Sequence, residues 1–261
     1  MSAHQERPAG LASTSSRGKK MSVFERMARR TDPLTSLVLT TPVFLVYHVG
    51  LLLTDVRNGV DFVSGPLLAL AHTSLPLYVG LTALIAGGIV LAGWGLRGRG
   101  EVHPRALVPV LVESTVWAGV LAVTVGWVTA RVFASTLAPL QAGPPPIGPM
   151  GAIVLSAGAG FHEELVFRVG LFAGGSWLLT RLLGVGATRA AFVAAVGSAL
   201  IFSAAHYVGP FGDPFALSSF TFRALFGLAL AGLYRLRGFA IAVYAHALYD
   251  VFVFGLRLLS D

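Results

Sequence analysis

Seven apolar stretches, each close to the length needed to cross a bilayer, fill most of the chain from Leu34 to Arg257. A helix needs about 20 such residues to span the hydrocarbon core. In that solvent every backbone N–H and C=O must be paired internally, so runs of this kind fold as helices packed into a bundle. The spans read as 34–54, 73–96, 106–130, 150–174, 189–208, 218–236 and 238–257. The predicted fold class is all-α, a polytopic membrane bundle of about seven transmembrane helices. The chain is 12% charged, against about 25% in a soluble domain, which supports the same conclusion.

The charges that remain are ordered. Net charge is +7, and seven of the nineteen Lys and Arg lie in the first 33 residues. Basic ends (the first 33 residues; Arg97, Arg99 and Arg105; Arg181 and Arg189; Arg235 and Arg237) alternate with neutral or mixed ones (Asp55, Arg57 and Asp61; the proline loop 138–149; Asp213). This is the signature of membrane orientation with the N-terminus in the cytoplasm, and it argues against a nucleic-acid partner. No cleavable signal peptide is expected ahead of the first span. Residues 1–33 read as a disordered basic arm, 34–149 as three peripheral helices with a proline-rich loop, and 150–261 as a core of four helices. Gly175 to Gly186 reads as an interfacial turn of helix, and Phe62 to Leu70 as a second short interfacial piece. Small residues crowd the last four spans (Gly158, Gly160, Gly197, Gly227 and Ala231 among them), where they permit close helix contact in lipid. Arg223 interrupts the sixth span and must snorkel or pair.

Within this apolar background, Glu163, Glu164 and Arg168 share the fourth span, His206 stands in the fifth, and His246 and Asp250 in the seventh. Each ionisable group at membrane depth costs about 3 kcal/mol on insertion scales, so scattering them over three helices makes sense only if they converge. On an α-helix Glu164 and Arg168 are one turn apart and can pair. Glu163 is rotated from Glu164 by about 100° and faces elsewhere, leaving one carboxylate available as a general base. His246 and Asp250 share a face. One Glu, two His and one Asp around one point can activate water, either as ligands of Zn²⁺ or without metal, with Glu163 as base and His206 orienting the water. With no cysteine in the chain, thiolate chemistry and disulfides are excluded, and no serine stands in a nucleophile setting.

The motifs EExxxR (Glu163, Glu164, Arg168), FxxxH (Phe202, His206) and HxxxD (His246, Asp250), in this order on successive membrane helices, resemble those of the CAAX prenyl protease and bacteriocin-processing family, also called Abi or CPBP. The resemblance runs from about Met150 to Leu259. It implies an intramembrane endopeptidase in which Glu163 activates water with His206, Glu164 pairs with Arg168, and His246 with Asp250 polarises the scissile carbonyl or completes a metal site. Glu163, His206 and His246 would be the ligands of a Zn²⁺ ion. The third motif often ends in asparagine, and Asp250 departs from that; an ionised aspartate cannot donate to an oxyanion, which favours the metal-assisted form. The resemblance further implies a hydrophobic or membrane-tethered peptide or protein substrate, cut near its C-terminus. Lipid is the other partner, and the composition fits the plasma membrane of a bacterium. Two other readings use the same polar cluster: an ion- or proton-coupled transporter, and a non-catalytic immunity-type membrane protein.

Several polar residues are expected to be structural. His162 points to a different face from Glu163, Glu113 reaches an interface, His48 and His72 lie near span ends, and His103 is in a loop. Tyr207, Tyr244 and Tyr249 read as packing residues beside the motifs. One tension remains in the depths: His206 lies 17 residues after Arg189 and His246 nine after Arg237, so helices of equal tilt would not bring the two imidazoles level.

Overall fold

The structure is a computed structural model that describes residues 31–54, 56, 74–98, 104–133, 147–209 and 212–260. The basic arm up to residue 30, residues 62–70, His72, His103 and most of the proline loop lie outside the described residues. Among the described residues all regular structure is helical, and seven helices are long and apolar enough to cross a membrane. They are α1 (Pro33–Leu53), α2 (Leu75–Leu96), α3 (Leu107–Phe133), a composite span, α6 (Ala187–Ala205), α7 (Leu217–Arg237) and α8 (Phe239–Ser260). The composite span joins α4 (Pro149–Gly158), a π-helical segment (Ala159–Gly174) and α5 (Gly175–Leu182) without a break.

Helix starts follow local chemistry. Asp32 caps α1 by accepting from Thr35 N–H at 2.9 Å, with Pro33 in the first turn, where its missing N–H costs nothing. The α7–α8 connection is a single residue, Gly238, at φ +95°, a conformation that glycine adopts without the steric cost other residues pay. That tight reversal sets α8 beside α7.

The inner layer is α8, surrounded by the π segment, α7, α3, α4 and α1. Ala240, Ala242 and Ala245 on α8 are fully buried, and Ser114 of α3 donates to the carbonyl of Ile241 at 3.3 Å. Gly160 lets the π segment lie directly on α8: a Cβ there would stand 2.7 Å from the carbonyl oxygen of Val243. The first and third helices are therefore part of the core rather than a ring around it. Leu39, Phe44 and Tyr47 of α1 and Val110 and Leu121 of α3 are buried with the residues of α8. By contrast α2 is largely exposed.

A ladder of contacts fixes the relative heights. Thr31 donates to the carbonyl of Arg237 (2.8 Å), Tyr244 donates to the carbonyl of Leu39 (2.7 Å), and Phe44 meets Phe161 edge-on (5.3 Å). The composite span has 34 residues. At about 1.5 Å per residue it is far longer than the roughly 30 Å hydrocarbon core. Its last turns, with Trp177 and Leu182 exposed and no buried residue in α5, project past the basic end as a helical hairpin with the start of α6. The expected interfacial turn at 175–186 is thus a continuation of the fourth span as far as Leu182. The depth conflict is resolved in the bundle itself: α6 ends at Ala205, and its C-cap His206 lies level with Glu163, Nε2 to Oε2 at 3.8 Å. Arg237 does not reach outward either. It is held by Glu113 of α3, Nη2 to Oε2 at 2.8 Å.

Candidate active site

The π winding decides how the two adjacent glutamates are aimed. With i→i+5 hydrogen bonds each residue turns by roughly 80° rather than 100°, so Glu163 and Glu164 diverge less than on an α-helix. The expectation that Glu163 faces elsewhere is corrected here: both carboxylates address the same imidazole. Glu164 Oε1 accepts from His246 Nδ1 at 2.7 Å, and Glu163 Oε2 stands 3.8 Å from His246 Nε2. Ser198 Oγ of α6 donates to the carbonyl of Phe167 within this segment at 2.6 Å. π-helical turns concentrate at functional sites for this reason: they re-aim side chains.

Glu164 is shared. Its Oε2 pairs with Arg168 Nε at 3.1 Å, and both side chains are sealed from solvent. The guanidinium packs over the Phe202 ring (4.5 Å) and reaches the carbonyl of Gly227 (3.4 Å). A buried charge needs such a partner set. Arg168, Glu164 and His246 thus form a chain in which a fixed cation holds a carboxylate and the carboxylate holds an imidazole.

His206 enters from the other side. Helix α6 ends at Ala205 rather than near residue 208, and His206 is its C-cap. Its Nδ1 lies 2.8 Å from the carbonyl of Phe202. A carbonyl only accepts, so Nδ1 carries a proton, and Nε2 faces Glu163 Oε2 at 3.8 Å. For His246 the same logic applies: its Nδ1–H is given to Glu164. Phe202 stacks edge-on against both rings, at 4.9 Å and 5.9 Å, and Phe226 closes on His246 at 5.4 Å. Asp250 Oδ2 is 3.8 Å from His246 Nε2, beyond hydrogen-bond reach.

The six residues singled out from the sequence are therefore gathered around one point. Glu163 Oε2 and the two Nε2 atoms are the right donor types for Zn²⁺. Their two measured separations of 3.8 Å exceed the roughly 3.3 Å edge of a tetrahedron with bonds near 2.0 Å. Among the described residues no group of three His, Asp or Glu side chains is arranged to hold a metal ion. The spacing suits a water at about 2.8 Å from each acceptor.

Residues 145–252 match the family model described as Rce1-like, Type II CAAX prenyl endopeptidase Rce1-like. The match covers 108 of the 261 residues. The Rce1-like stretch contains every residue of the cluster, from Glu163 to Asp250, and leaves α1, α2 and α3 outside it. No curated protein and no solved structure matches the chain.

Other polar residues sort by contact. His162 is buried beside Tyr47 (4.8 Å) and His48 (5.4 Å), away from the cluster. His48 is buried too, not peripheral. Arg223, flagged by its place in an apolar run, pairs with Asp213 and lies over the Tyr207 ring at 5.2 Å. Tyr244 and Tyr249 are buried packing residues, while Tyr207 is half-buried next to His206. The winding at 159–174 has no signature in residue type, and no sequence pattern marked it.

Proposed function

We propose that the chain is an intramembrane endopeptidase that hydrolyses a peptide bond of a hydrophobic or membrane-tethered substrate near its C-terminus. The observation that carries this reading is the position of Glu163 Oε2, 3.8 Å from the Nε2 of both His206 and His246 inside the Rce1-like region. A water between Glu163 and His206 finds two acceptors, and hydrogen bonds to both align its lone pair for attack. Glu163 takes one proton as the oxygen bonds to the scissile carbonyl carbon. His246, when its Nε2 carries a proton, donates to the carbonyl oxygen as negative charge develops there. Collapse of the tetrahedral intermediate breaks the C–N bond, and Glu163 returns its proton to the leaving amine. Glu164 and Arg168 touch no reacting atom; they fix the tilt and tautomer of His246.

The chemistry needs a single water held in an otherwise dry pocket rather than an ion pathway. The test is cleavage of a fluorogenic peptide carrying an apolar C-terminal segment by purified protein in liposomes, compared with Glu163→Gln. Loss of product with the variant supports the reading, and equal turnover by both proteins sinks it.

A further inference from the structure

Away from the catalytic cluster, a cavity of about 340 Å³ lies between the last turns of the composite span and the end of α7. Small-molecule sites begin at about 300 Å³, so the space admits a compact polar group. Its base is aromatic: Phe172 is buried and meets Tyr234 of α7 edge-on at 6.0 Å. Ser176 and Thr180 of α5 line one wall. Thr180 gives its hydroxyl proton to the carbonyl of Ser176 at 2.8 Å, which leaves the Ser176 hydroxyl as the donor on that wall. The rim carries Trp177 and Arg181, one turn apart on α5, and Arg235 on α7, all exposed.

The two guanidinium groups come from different helices and converge on one space without an acid to neutralise them. Elsewhere in the bundle arginine is paired: Arg168 with Glu164, Arg223 with Asp213 and Arg237 with Glu113. Among the described residues no Asp or Glu lines this cavity. Arg181 stands in the last turn of the composite span and Arg235 in that of α7. The cavity therefore lies where hydrocarbon gives way to water, the level at which tryptophan concentrates. Leu178 and Leu182, beside the Trp177 and Arg181 face, are exposed and supply apolar surface next to the two cations.

We propose that this cavity binds the phosphate-bearing headgroup of an anionic phospholipid. Arg181 and Arg235 clamp the phosphate oxygens, Ser176 donates a further hydrogen bond, and an acyl chain runs over Leu178 and Leu182. A guanidinium offers five N–H donors in a planar fork that fits phosphate, and basic pockets between membrane helices recognise anionic headgroups in this way. A zwitterionic headgroup is disfavoured, because its cationic amine would meet two guanidinium ions and no carboxylate. The bound headgroup bridges α5 and α7, so it stabilises the folded bundle. This site is separate from Glu163 and its imidazoles, and its test does not depend on turnover.

The full-length protein in a neutral detergent is titrated with phosphatidylglycerol, with phosphatidylcholine or with inorganic phosphate. Thermal unfolding and native mass spectrometry are read together. Phosphatidylglycerol should raise the thermal midpoint by several degrees, saturably, and leave a retained single-lipid adduct; phosphatidylcholine should do neither. Arg181→Gln with Arg235→Gln should lose both the shift and the adduct. Arg105→Gln with Arg189→Gln removes the same charge at exposed positions outside the cavity and should keep both. If the first pair of changes lowers the midpoint of the lipid-free protein, the adduct alone decides. An undiminished adduct in that variant, or equal loss in the two variants, overturns the site. A shift with inorganic phosphate as large as that with phosphatidylglycerol overturns lipid as the source of the phosphate.

Discussion

Glu163 and Glu164, neighbours in sequence, face different ring nitrogens of His246: Glu164 is hydrogen-bonded to Nδ1 at 2.7 Å, and Glu163 stands 3.8 Å from Nε2. One carboxylate is neutralised by Arg168 and positions the ring. The other faces the point where both Nε2 atoms look. This division of labour makes the two acids separable by experiment.

Glu163→Gln keeps the size of the side chain and removes its basicity. Turnover should fall by about 10²–10⁴, the usual share of a general base, with the thermal midpoint in detergent unchanged. A variant that unfolds early would place Glu163 in the scaffold instead.

Glu164→Gln should behave differently. It strands the Arg168 guanidinium in a sealed site, and breaking a buried pair costs about 3–5 kcal/mol. Thermal unfolding in the same detergent reads the loss. Glu164→Gln with Arg168→Met should regain part of the stability and little of the turnover, because His246 is still unheld. Recovery of both together would mean the pair acts only as scaffold.

Gly160→Ala tests the closeness of the π segment to α8. The new methyl would meet the carbonyl oxygen of Val243 and the Cβ of Ala247, each at 2.7 Å. Overpacking of this kind costs about 1–3 kcal/mol, and relief by moving α8 shifts His246 away from Glu163. Both stability and kcat should fall. Gly232→Ala, at an exposed helical position with nothing within 4 Å, should be neutral or stabilising by up to about 1 kcal/mol. Equal effects of the two changes would contradict the packing argument.

Metal dependence follows from donor spacing. With the two measured edges wider than a tetrahedral site, peptide cleavage should survive dialysis against a strong chelator. Metal analysis of active protein should give well under one equivalent of zinc. Activity that vanishes on chelation and returns with Zn²⁺ would show that the three donors close around an ion.

The helices were legible because lipid imposes length and apolarity on each span, and the cluster because ionisable residues at depth must converge. Arg223 was legible as a residue that needed a partner, and the structure supplies Asp213. Other features were hidden for a physical reason: they depend on winding and height, which residue type does not encode. Glu163 is aimed by a π register, His206 is a helix cap rather than a mid-helix residue, and Arg237 is caught by Glu113 across the bundle. Helices assumed ideal and equally tilted place each of these a few ångströms or a few tens of degrees wrong.

The sixteen residues wound in the wider register make the catalytic geometry sensitive to chain length as well as to side chains. Losing a single residue between Gly160 and Glu163 would advance the acid by most of a quarter turn and swing it off its imidazole. Lipid-facing positions can exchange one aliphatic group for another with little consequence, but this stretch has a fixed residue count, and insertions or deletions in it should be the least forgiving changes in the molecule.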